Sequence, residues 1–141
     1  MRRIQPANLL ALIGLTFTAV ALLRAEERMR TGLWEVSTIS NGKPTGVLDS
    51  TCYTPAMLQV ANMPAKMMQE ASETAAAKRG CTLKDFKMDG GTISMVRICP
   101  TRSSVISSTY GGDTFETIDT STKAGVTKVM HIKGRRVGDC K

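Results

Sequence analysis

Four cysteines are the residues best suited to covalent chemistry. Cys52, Cys81, Cys99 and Cys140 stand 29, 18 and 41 positions apart. Structural zinc takes its cysteines in close pairs, about two to four residues apart, and a redox-active dithiol needs a similarly close pair. Neither spacing occurs, so the cysteines read as structural. His131 is the single histidine. Sites that need two imidazoles, most catalytic zinc centres among them, are excluded.

The remaining constellations are weaker. The chain has nine methionines, and Met57, Met63, Met67 and Met68 crowd one stretch. Thioethers bind Cu(I), but methionine also fills irregular gaps beneath a helix, and no cysteine or histidine stands nearby. Packing is the preferred reading, and no metal or cofactor is expected. His131 with Asp85 or Asp119 and the many serines invites a nucleophilic triad. No Gly-x-Ser-x-Gly elbow supports it, and His131 reads as a surface strand residue. Glu116 and Asp119 are an odd number of positions apart and cannot share a strand face. Glu70 and Glu73 are one helical turn apart, as on a solvated face. No catalytic residue is therefore assigned, and the expectation is a protein that is not an enzyme. Trp34, with Met63, Met67 and Met68, forms the candidate ligand or core face, and a core anchor is the better reading of the lone tryptophan. Lys133, Arg135 and Arg136 form the candidate basic surface, joined by Lys141 and by Lys78 and Arg79. It reads first as a solvated tail, and second as a contact for anionic headgroups or an acidic partner.

The elements that must position these residues begin with a targeting segment. Arg2 and Arg3 precede an uncharged run, Leu9 to Leu23, and Ala25 closes it with a small residue. That is the layout of a cleaved signal peptide over residues 1–25, and the run falls short of the roughly 20 apolar residues of a spanning helix. Residues 26–141 then form one exported domain, periplasmic or secreted, with membrane contact only during export. Three of the chain's 19 basic residues leave with the segment, so the formal charge falls from +7 to +4. Export and mild charge together remove nucleic acid as a partner. Export also makes four cysteines read as two disulfides.

The exported part alternates like a β protein. Gly32–Ser40 is strand-like, Asn41-Gly42 is a hairpin turn, and Thr45–Cys52 returns. Thr54-Pro55 starts a helix, Pro64 interrupts it, and an Ala/Met-rich helix runs from about Ala65 to Lys78, with Gly80 as its C-terminal cap. Thr82–Met88 and Thr92–Cys99 flank Asp89-Gly90-Gly91. Ser103–Tyr110 and Thr114–Thr122 flank a two-residue Gly111-Gly112 turn. Val126–Lys133 is the last strand, after which Gly134 frees the tail. The sum is a mainly β fold, an antiparallel meander of roughly six or seven strands as a curled sheet or open barrel, covered by one helical insertion. A three-residue loop at Asp89–Gly91 sets Met88 opposite Thr92 and Cys81 opposite Cys99. That favours Cys81–Cys99 with Cys52–Cys140. Cys52–Cys81 with Cys99–Cys140 stays open as the alternative.

GLWEV at the start of this domain, Cys52-Tyr53-Thr54-Pro55, Gly80-Cys81-Thr82-Leu83 and the closing GRRVGDC together resemble the small exported bacterial proteins grouped as domain-of-unknown-function family 3617. The resemblance spans Gly32 to Cys140. It implies export, four cysteines and a β-rich fold, and it carries over no catalytic residue. Members often have a longer Met/Pro-rich stretch between the first two strands. Here that stretch is only about SNGKPTG, which puts in doubt any ligand contact it makes elsewhere. The expected function is a non-enzymatic binding or interaction module that holds a small apolar ligand on the concave sheet face. The alternative is a protein-directed inhibitor or chaperone-like factor acting on an envelope protein.

Overall fold

The computed structural model describes residues 27–45 and 49–141. The expected signal segment lies outside them. β1 (Gly32–Ser40) turns back at Asn41 and Gly42, whose φ of 48° and 78° make the mirror-image turn that matches strand twist. Of the expected return strand Thr45–Cys52, Asp49–Cys52 is strand, and residues 46–48 lie outside the described ones. β2 (Lys43–Pro44) and β3 (Asp49–Tyr53) both pair with β1, at Ser40↔Lys43 and Leu33↔Cys52. Thr54 caps α1 (Pro55–Leu58) by accepting the Met57 N–H at 3.5 Å, and Pro55 fits the first helical position. α2 (Ala65–Ala77) follows Pro64. β4 (Thr82–Asp89), β5 (Thr92–Cys99), β6 (Arg102–Tyr110), β7 (Thr114–Lys123) and β8 (Val126–Gly138) then run as a meander. Among the described residues the sheet has eight strands, in the order β2-β1-β8-β7-β6-β5-β4, with β3 also on β1. It is antiparallel and not closed, and α2 packs along β4.

The sequence reading needs correction in three places. The β4–β5 loop has two residues, not three, because Asp89 pairs with Thr92 and Met88 with Ile93. A bulge between Lys84 and Lys87, with Asp85 at φ 52°, then shifts the register by one. The shift brings Cys81 opposite Cys99, so the expected pairing arises from a different loop plus a bulge. Both disulfides, Cys81–Cys99 and Cys52–Cys140, are present. The β6–β7 connection holds three residues, Gly111 to Asp113, closed by the Gly111 N–H donating to the Thr114 carbonyl at 2.8 Å. Finally, Gly134 does not free the tail. β8 continues to Gly138 because Gly134 pairs with Phe115 and with Val36, and the Phe115 ring lies where a Cβ would stand. An aromatic covering a cross-strand glycine supplies the packing that the glycine lacks. Gly134→Ala should therefore cost about 1–3 kcal/mol in urea unfolding, as overpacking does. The loss should shrink in a Phe115→Leu background.

Cross-strand pairing sorts the side chains into two faces. The buried strand side chains Trp34, Ile93, Ser104 and Ser108 all lie on one of them. At one end of that face Trp34, fully buried, packs with Met29 and Leu58 and against Tyr53, Tyr110 and Phe115. Its ring lies 5.7 Å from Phe115 and 6.1 Å edge-on to Tyr53, and Nε1 donates to the Arg30 carbonyl at 3.0 Å.

Candidate functional site on the Trp34 face

The residues singled out from the sequence do not converge. Trp34 is a core anchor, as expected, but the helix it meets is α1, through Leu58, and not the Met-rich α2. Met68 is buried on the inner side of α2. Met67 is 53% exposed and shares an outer surface with Met63, Glu70 and Lys78. Met63, Met67 and Met68 thus present no common point to a metal or a ligand. His131 lies 3.6 Å from Glu116, on the face opposite Asp119, and Asp85 sits in the β4 bulge four strands away. The triad geometry does not exist.

Lys133, Arg135 and Arg136 of the candidate basic surface each have a partner, and Lys133 and Arg135 stay more than half exposed. Lys133 lies 3.2 Å from Glu116, and Arg135 lies 2.7 Å from Glu35, each pair directly opposed across strands. Arg136 donates to the Thr31 carbonyl at 2.7 Å and to Asp139. Pairing of β8 with β1 and β7 therefore neutralises the run that looks most basic in the sequence.

A different set gathers on the Trp34 face. Val36, Ile106, Met130 and Ile132 are half-buried there, around the middle of the sheet. Arg97 on β5 reaches across β6 to Asp119 on β7 at 3.6 Å. Their side chains are 23% and 17% exposed, so this pair is better shielded from water than a surface ion pair. Ser104 faces Arg97 across the β5–β6 ladder and is 2% exposed, and its hydroxyl has no hydrogen-bond partner. Asp119 Oδ1 is likewise buried without one. A buried polar atom without a partner costs about 1–3 kcal/mol, and these two lie at the Arg97–Asp119 pair and its cross-strand neighbour.

Beyond Arg97, at the end of the face away from Trp34, an open groove is lined by Arg79, Arg97, Arg102 and Lys123 around the Cys81–Cys99 bridge. The groove at the other end, between the Gly90-Gly91 and Gly111-Gly112 turns, also holds arginines. Those are engaged: Arg28 donates to the Ala61 carbonyl at 2.7 Å, and Arg30 pairs with Asp113 at 3.1 Å. Of the site residues, the sequence singles out Arg79 for the basic surface and Asp119 for acid chemistry, and it does not single out Arg97, Arg102 or Lys123. Arg97 is the one charge in the strand TISMVRIC, and its partners depend on register across three strands.

The two disulfides fit an oxidising compartment outside the cytoplasm. Among the described residues no helix is long and apolar enough to cross a membrane. A family model described as "Protein of unknown function (DUF3617)" matches residues 29–140. No curated protein and no solved structure gives a match.

Proposed function

This chain belongs to the DUF3617 family of proteins of unknown function, and on that footing we propose that it is a non-enzymatic binding module of the periplasm or the secreted fraction. It holds a small, largely apolar ligand on the Trp34 face. The observation that carries this reading is the half-buried strip Val36, Ile106, Met130 and Ile132, on the same face as the core but away from the helix that rests on β4. Half-exposed apolar side chains gain from any apolar molecule laid over them, by about 25 cal/mol per Å² removed from water. Export supports a carrier or sensor of an envelope molecule.

Native mass spectrometry of the protein taken from its own periplasm tests this. A retained small-molecule mass is expected, and it should be lost in the Ile106→Ser/Ile132→Ser double variant. A bare chain would overturn the proposal. A protein-sized adduct would instead favour the alternative, a factor acting on an envelope protein. The exposed Val105 and Ile98 on the opposite face give that second reading its own support.

A further inference from the structure

We propose that the ligand of the Trp34 face is an amphipathic phosphate monoester, its oxyanion held by Arg79, Arg102 and Lys123 beside Arg97. The inference rests on the reading of that face as a ligand site and names the chemistry of its polar end. None of the residues lining the groove is acidic. Arg97 is the one cation there with an ion-pair partner, Asp119. Arg79, Arg102 and Lys123 are exposed and have no ion-pair partner among the described residues.

Local structure forces these cations together. Arg102 pairs with Cys99 across the tight Pro100-Thr101 turn, on the Trp34 face. Lys123 continues the β6–β7 ladder beside it, one step beyond Ser103↔Thr122. Arg79 leaves the end of α2, where the Cys81 N–H donates to the Ala76 carbonyl at 3.0 Å. The Cys81–Cys99 bridge then clamps that turn to the end of β5. Like charges held close repel, and a dianion between them reverses the sign of each interaction. A carboxylate carries one charge. A phosphate monoester carries up to two and offers three terminal oxygens to planar guanidinium forks, so it matches three free cations better.

The basic end of the face adjoins its half-buried apolar side chains. The Ser104 hydroxyl, buried and unpartnered, stands directly across the ladder from Arg97. Met95, two residues before Arg97, pairs with Ile106, so the apolar strip begins where the basic end stops. A molecule with a charged head and an alkyl tail meets both in one pose.

The test is calorimetric titration of the disulfide-intact protein with decyl phosphate, inorganic phosphate and decanol. Decyl phosphate should bind most tightly, and more weakly as salt is raised. The Arg79→Gln/Arg102→Gln variant should lose at least about tenfold for decyl phosphate, the scale of lost charge-assisted hydrogen bonds, and nothing for decanol. Those side chains make no hydrogen bond or ion pair among the described residues, so the variant should melt with the wild type. Equal binding of decyl phosphate and decanol, or an unchanged double variant, would overturn the oxyanion subsite and leave the apolar site standing. Inorganic phosphate bound as tightly as decyl phosphate, and lost in the variant, would keep the subsite and make free phosphate its source; the apolar reading would then fall. Binding of none of the three would sink both.

Discussion

Trp34→Ala is expected to lower the stability of the domain by about 3–5 kcal/mol, the range for a large aromatic removed from a packed core. That is a large share of the roughly 5–15 kcal/mol that holds a typical domain together. The size follows from position. Trp34 is fully buried, its ring touches residues from β3, β7 and α1, and its Nε1 donates to the Arg30 carbonyl. Truncation opens a cavity walled by separate elements, which cannot collapse together to fill it. It also leaves the segment around Met29 without its anchor. Glu35→Ala is the control. Glu35 points to the other face and pairs only with the exposed Arg135, so the loss should stay within about 1 kcal/mol. Urea unfolding checks both. A midpoint unchanged by Trp34→Ala would mean that the aromatic cluster does not close the core.

Removing the Cys52–Cys140 bridge should cost more than removing Cys81–Cys99. The two bridges span 88 and 18 positions of sequence. The chain-entropy model then gives about 4.6 kcal/mol for the first and about 3 kcal/mol for the second. The topology argues in the same direction. Leu33 pairs with Cys52 on one side and Gly138 on the other, so the long bridge closes the β3–β1–β8 ribbon at the start of β1. Cys81 and Cys99 already stand opposite one another at the end of a hairpin that pairs without them. Serine pairs at each bridge, compared by urea unfolding at one pH, should show this order. The reverse order would mean that the open chain already holds its ends together.

Two of the four motifs that carry the family resemblance, GLWEV and GRRVGDC, are neighbours. Trp34 pairs with Arg136, Glu35 with Arg135, and Val36 with Gly134. The two ends of the domain thus form one ribbon. What local chemistry governs could be read directly: the bounds of β1, the Asn41-Gly42 turn, the Thr54-Pro55 helix start, the Pro64 break and the two disulfides. Each depends on residues within a few positions of one another, or on four cysteines that hold no close pair.

What escaped local reading depended on partners far along the chain. Gly134 looks like a strand end until Phe115 is laid over it. The β4 bulge at Asp85 is invisible without the β5 partner that exposes the mismatch, and two errors of one residue cancelled to give the right cysteine pair. Lys133, Arg135 and Arg136 look like the basic surface because they are consecutive or nearly so, but Glu116 and Glu35 come from the neighbouring strands to pair with Lys133 and Arg135. Arg79, Arg97, Arg102 and Lys123 look scattered because they stand on α2's end and three different strands. Composition and pattern set the class, the strands and the bridges of this protein. Register, which adds up over every turn and bulge in the sheet, set which charges meet an opposite charge and which are left to meet a ligand.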